Sequence, residues 1–365
     1  MDLNKCRYGG DKPHRLIGLD ILRIALALLV FLFHSRIHFQ CSYGLLNNFV
    51  EMGAIAMTGF MLLSGYVLYV TYHSRNLSDI ASCKIFYLKR LFAILPLYYA
   101  IAVLHIGCGL VTGKTSLMKE VVLFPVETLG LQSVFSTLFP YSHNGGTWFI
   151  SCILICYLLY PFIQSMIEQI KVKEKMGLLI MLVVILLYAP IVQHLFHLSD
   201  IYSNPFFRLL EFTIGVLLAN FASNSYIPIR KCGAFKKSLA LLLIFSLLIV
   251  GVSVAYSVGI PHDFMLFNWV ALPCFSIAIF ILGTNVHSRW LDIKVIKYLS
   301  SISFTFFLCQ VLPLWGICRK LVECINFDSN ILKIIISFAV CFIGAVLIHE
   351  LIEKPSAKYL KQKFL

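Results

Sequence analysis

Apolar runs recur along the chain near 17–39, 44–70, 92–112, 147–166, 176–196, 206–223, 236–258, 265–284, 299–320 and 331–351. Short polar segments separate them. A hydrocarbon core of roughly 30 Å takes about 20 helical residues to cross, and each run has about that length. In lipid, only a helix or a closed barrel satisfies its own backbone polar groups. The pattern therefore predicts an all-α polytopic membrane bundle of about ten transmembrane helices over 17–351, with an N-terminal segment 1–16 and a C-terminal tail 352–365. There is no internal repeat and no low-complexity linker. The segment 113–146, with Pro125, Pro140, Gly145 and Gly146, reads as ordered turn and loop. The stretch from Ser82 to Phe92 reads as an amphipathic lead-in to the third span.

Composition narrows the class. Hydrophobic residues make up 59% of the chain, charged residues 13%, and mean hydropathy is +0.87. A soluble domain carries roughly 25% charged residues, so lipid is the solvent that suits this surface. The first apolar run is too long for a cleavable signal, and no small-residue cleavage site follows it. The twelve cysteines contain no C-x-x-C pair, and most lie inside apolar runs, where thiols act as small hydrophobes. Cys152 and Cys156 share a helix face by spacing, but neither a metal site nor a structural disulfide is expected.

The net charge of +13 is not one basic patch, which argues against nucleic acid. Small basic clusters alternate between loops instead. One set of loops holds 22 of the 30 Lys and Arg residues, including Lys5, Arg7, Lys12, Arg15, Lys84, Lys171, Arg230, Arg289 and Lys354. The other set holds 6: Arg36, Lys114, Lys119, Arg319, Lys320 and Lys333. Under the positive-inside rule this asymmetry puts both termini in the cytoplasm. A multi-pass protein of a bacterial inner or plasma membrane is expected.

Ionisable groups inside a span are costly and invite a functional reading. The first span carries Asp20, Arg23 and His34. Asp20 and Arg23 are spaced to pair on one face, which also suits a helix-end ion pair with Arg23 snorkelling. His34 follows Arg23 by eleven positions, about three turns or ~16 Å, so the two share a face. A cation near the cytoplasmic mouth suits a phosphorylated donor, and a histidine three turns deeper suits a group at the end of a long arm. Coenzyme A has that shape, and His34 would act as general base toward an acceptor hydroxyl. His34 and His38 have metal-ligand spacing but no nearby third ligand, so no metal is expected. Ser64, Trp148, Arg208, Glu211 and Gln310 are further polar groups in or beside spans, and are candidates for the acceptor side. Arg208 and Glu211 also read as a structural pair, and Trp148 as an interfacial anchor.

Together these residues resemble the acyltransferase-3 family of membrane acyltransferases, from about Leu19 to Leu360. Leu19-Asp-Ile-Leu-Arg23, with ten residues between Arg23 and His34, is similar to the family's basic-x10-His signature. Phe60-Met-Leu-Leu-Ser-Gly-Tyr66, the basic stretch from Tyr87 to Pro96, Trp148-Phe-Ile with Tyr157 and Pro161, and Arg208-Leu-Leu-Glu-Phe-Thr-Ile-Gly215 resemble successive family motifs. Ile302-Ser-Phe-Thr-Phe-Phe-Leu and Ile352-Glu-Lys-Pro355 resemble its closing motifs.

The resemblance implies transfer of an acyl group, usually acetyl from acetyl-CoA, to hydroxyls of surface sugars. It implies His34 as the catalytic residue and Arg23, Lys89 and Arg90 as donor-phosphate ligands. Three positions depart from the family. Ala93 stands where a second Arg is usual, so Lys89 would substitute as a point charge. Ile153 and Leu154 stand where many members have Glu, and Gln310 where many have His. These departures place more of the chemistry on His34.

The expected function is O-acetylation of a cell-surface polysaccharide or lipid-linked glycan precursor, with acetyl-CoA as substrate and no permanently bound cofactor. With no fused hydrolase-like domain before Leu365, the whole reaction is expected within the membrane domain. Two other readings stay open: a transporter of a glycan or anion, and an inactive acyltransferase-like protein. Direct transfer and an acetyl-histidine intermediate are both compatible with the sequence.

Overall fold

The structure, a computed structural model, describes residues 16–134, 147–197, 201–223, 233–284, 293–310, 312–325 and 329–364. Lys5, Arg7, Lys12, Arg15, Pro140, Gly145, Gly146, Arg230, Lys231 and Arg289 lie outside them, as does most of the 1–16 segment.

Among the described residues the chain is helical throughout, without a strand. Its helices are α1 (Ile17–Phe39), α2 (Asn47–Glu51), α3 (Ala56–Tyr72), α4 (Ile80–Val111), α5 (Leu117–Thr128), α6 (Thr147–Gln169) and α7 (Val172–Leu195). They continue as α8 (Pro205–Ser223), α9 (Ala234–Ser257), α10 (Asn268–Gly283), α11 (Ile293–Cys309), α12 (Leu312–Ile325), α13 (Asn330–Ile348) and α14 (Lys354–Phe364). Eight helical segments of the described chain are long and apolar enough to cross a membrane, and α11 with α12 makes a ninth as a bent pair. The apolar helix α10 is shorter, at 16 residues. The protein is a multi-pass, all-α membrane bundle.

Four details differ from the sequence reading. The second span is broken: α2 ends at Glu51, and a 3-10 turn over Gly53–Ile55 precedes α3. A Cβ on Gly53 would sit 2.8 Å from Phe33 Cβ and 3.0 Å from the Leu29 carbonyl, so the turn lies where the chain presses on α1. The lead-in at Ser82 is not separate. Asp79 caps α4 by accepting from the Ser82 N–H at 3.0 Å, and the helix runs on unbroken for 32 residues. The 113–146 loop contains α5, capped by Ser116. Pro125 reads as a loop residue in the sequence, but it is accommodated within this helix. The ninth span turns by 82° between α11 and α12. Its break follows from Pro313, which has no N–H to offer the carbonyl four residues back at Cys309, where α11 stops.

The tightest crossing joins α3 and α8. An ideal Cβ on Gly65 would lie 2.0 Å from the Phe212 carbonyl oxygen, and one on Gly215 would lie 2.0 Å from the Leu62 carbonyl oxygen. Each glycine receives the other helix's backbone, the close approach by which small residues pack helices in lipid. At the Ile17 end of the bundle, Gly18 packs on Leu282 and the Lys237 ammonium donates to the Thr284 carbonyl at 3.1 Å. That bond closes the C-terminus of α10 with a cation, as the helix dipole favours.

Candidate active site

His34 lies on α1 near its Phe39 end and is half-buried. Its Nδ1 is 3.0 Å from Gln310 Oε1. An amide oxygen only accepts, so Nδ1 carries a proton, and in the neutral ring Nε2 keeps its lone pair. The break between α11 and α12 sets Gln310 at this height. Its backbone N–H donates to the Phe307 carbonyl at 3.3 Å, and its carbonyl accepts from Trp315 Nε1 at 3.2 Å. Trp315 in turn packs on His38 and Phe31, with ring centroids 5.2 and 6.1 Å away. The imidazole is thus held in one tautomer by a side chain that is itself fixed at both backbone groups. Gln310 is buried, and its Nε2 has no hydrogen-bond partner among the described residues.

Arg23 lies three turns toward the Ile17 end. Its Nη1 approaches Ser300 Oγ at 3.5 Å and Asp20 Oδ1 at 4.0 Å, while the Ser300 hydroxyl donates to Asp20 at 2.6 Å. Arg90, from α4, donates through Nη2 to the Tyr72 hydroxyl at 2.9 Å. Its guanidinium lies 5.1 Å from the Tyr72 ring centroid and 5.9 Å from that of Tyr157. Arg90 and Arg23 both lie within electrostatic reach of the Tyr157 hydroxyl. Arg90 packs against this tyrosine of α6, and Arg23 of α1 adds a second positive charge to its surroundings. The buried Arg90 Nε has no hydrogen-bond partner among the described residues. Lys89 does not join them. It is one residue away and so about 100° round the helix, on the face that carries Phe92 and Pro96. Those two residues, with Tyr99, Pro355 and Tyr359, line an apolar cleft of about 580 Å³ between α4 and α14. That cleft contains none of the candidate residues.

The remaining candidates form a separate centre. Arg208 and Glu211 are both 0% exposed, with Nη1 to Oε2 at 2.8 Å. Thr58 donates to Glu211 Oε1 at 2.8 Å, Asn268 Nδ2 donates to the same oxygen at 3.3 Å, and Arg208 Nε donates to the Tyr202 carbonyl at 2.7 Å. The guanidinium lies over the rings of Trp148 and Tyr202, at 5.2 and 4.6 Å. Trp148 is buried in this stack, so it is neither a lipid-facing anchor nor an open platform. Ser64 donates to the Phe60 carbonyl of its own helix at 2.7 Å. The centre locks α3, α6, α8 and α10 together through a compensated charge pair.

A family model described as an acyltransferase domain matches residues 16–350. The chain belongs to the acyltransferase-3 family. It is a membrane acyltransferase. The match includes His34, Arg23, Arg90, Gln310 and the Arg208 centre, and stops just before the closing Ile352–Pro355 motif. No curated protein and no solved structure matches the chain.

Sequence reasoning missed the partners that complete both centres. Tyr157 was visible as a motif residue without a role. Tyr72, Ser300, Thr58, Asn268 and Trp315 gave no signal, because each comes from another helix at a distance along the chain that carries no period. For Trp315, Pro313 was the one available hint that the helix had turned.

Proposed function

We propose that the protein transfers an acetyl group from acetyl-CoA to a hydroxyl of a cell-surface polysaccharide or its lipid-linked precursor. Both termini face the cytoplasm, as the basic loops indicate. Arg23 and Arg90 then lie toward the cytoplasmic side and bind the donor's phosphates, Arg90 through its buried Nε, which lacks a hydrogen-bond partner among the described residues. Lys89 is left out of the donor site. The acyl-bearing arm follows α1 for three turns, ~16 Å, to His34. With Nδ1–H held by Gln310, the imidazole takes the acceptor hydroxyl's proton at Nε2. The hydroxyl oxygen attacks the thioester carbonyl carbon, the C–S bond breaks, and the departing sulfur recovers the proton.

The observation that carries this reading is the tautomer. A histidine whose Nδ1–H is committed to a fixed amide oxygen presents a basic Nε2, and it sits three turns along one helix from Arg23. The test is His34→Ala at wild-type membrane abundance, with acetyl groups counted on purified surface glycan. Acetylation should disappear. Its persistence would remove His34 from the chemistry.

A further inference from the structure

The orphaned amide of Gln310 points to a second task at the same site. We propose that Gln310 is a catalytic residue in its own right: while Oε1 holds His34, its N–H2 donates to the thioester carbonyl oxygen of the acyl donor. This rests on the acyl-transfer reading above.

Leaving a buried donor without a partner is destabilising. Gln310 is 2% exposed, and its Nε2 is the one polar group of the residue without a hydrogen-bond partner among the described residues. Its backbone N–H, its carbonyl and its Oε1 are all engaged, by Phe307, Trp315 and His34. The side chain is therefore not free to swing and satisfy itself elsewhere. Because Oε1 and Nε2 diverge from one carbon, fixing Oε1 on the imidazole also fixes the N–H2 beside it. A group held there in advance suits an oxygen that acquires charge as His34 acts.

The electron count is complete with the groups named. The hydroxyl O–H bond breaks and its proton goes to His34 Nε2. The new O–C bond forms, and the carbonyl π pair moves to the oxygen, where the Gln310 N–H2 receives it. Collapse re-forms the C=O bond and expels the sulfur with the C–S pair, and His34 returns the proton to it.

Gln310→Glu separates the two tasks. A carboxylate still accepts from His34 Nδ1–H but donates nothing. If Gln310 serves the carbonyl, kcat for acetyl transfer should fall roughly 10²–10³-fold, the cost of one oxyanion donor, with the KM for acetyl-CoA little changed. Wild-type or higher kcat in Gln310→Glu would show that Gln310 only orients His34, and would overturn the proposal. A second measurement does not depend on turnover or on that variant folding. The infrared C=O stretch of isotope-labelled acetyl-CoA, bound without acceptor, should lie lower in the wild type than in the near-isosteric Gln310→Met. Equal frequencies would also overturn it. Loss of glycan acetylation in His34→Ala with no carbonyl shift would leave the acyl-transfer reading standing and remove Gln310 alone.

Discussion

Two polar centres sit inside this bundle, and they differ in charge balance and in access. Around Arg208 and Glu211 the charges cancel, Thr58, Asn268 and the Tyr202 carbonyl supply hydrogen bonds to the pair, and aromatic rings cover the guanidinium, while Arg208 Nη2 lacks a hydrogen-bond partner among the described residues. Around His34 the protein commits one ring nitrogen and leaves the other available, beside an amide donor that lacks a partner among the described residues. Both centres were candidate substrate contacts in the sequence. The first has no accessible surface to offer, since both side chains are 0% exposed. A charge pair that cancels and has no accessible surface marks a scaffold, even with Arg208 Nη2 lacking a hydrogen-bond partner among the described residues. A half-buried imidazole with one ring nitrogen committed, beside an unfilled amide donor, marks a place that a ligand can reach and complete.

The comparison can be broken most sharply at Glu211. Removing one partner of a buried pair strands the other, at a cost of about 3–5 kcal/mol. Glu211→Ala should therefore abolish recovery of folded protein, read as monodisperse material in detergent. Replacing both partners by apolar groups of similar volume is often neutral, so Arg208→Met with Glu211→Leu should recover much of the yield and retain acetylation. Recovery of the fold without activity would move this centre into the substrate site.

His34→Ala should show the opposite pattern: normal yield and no acetyl transfer, with no second-site apolar change restoring it. Next in size, Arg23→Ala and Arg90→Ala should each raise the KM for acetyl-CoA about tenfold, the ~1.4 kcal/mol scale of one charge-assisted contact, while Lys89→Ala should leave it unchanged. An equal effect at Lys89 would contradict its placement on the α14 face.

The smallest effect is expected at a control position outside both centres. The backbone N–H of Ser82, with its hydroxyl, holds the Asp79 carboxyl below its ordinary range. A lowered pKa stabilises above the unfolded value and is lost as pH falls through the folded one. Asp79→Asn should therefore flatten a slight acid-side loss of thermal stability and leave activity alone. A large activity loss in this variant would tie the start of α4 to the donor site.

Much of the fold was legible because membrane burial writes itself into composition and run length. The span from Ile17 to Phe39 is the clearest case. The breaks at Gly53–Ile55 and at Gln310 were harder to read, since a window that averages hydropathy passes over one glycine or one proline. The Arg23–His34 register was legible because both residues share a helix, where spacing fixes direction. The separation of Lys89 from Arg90 was legible only in hindsight: adjacent cations look like one site in a string but diverge by about 100° on a helix.

By itself, then, the sequence determined the solvent, the class of fold, the family motifs and the shared face of Arg23 and His34. These depend on local periodicity and on the cost of polar groups in lipid. The tertiary structure alone decided which helices meet: Gly65 on Phe212 and Gly215 on Leu62, Thr58 and Asn268 on Glu211, and Gln310 on His34. The last of these contacts joins residues 276 positions apart, and no repeat along the chain encodes such a pairing. That is why the sequence could name both His34 and Gln310 but not that the second fixes the tautomer of the first.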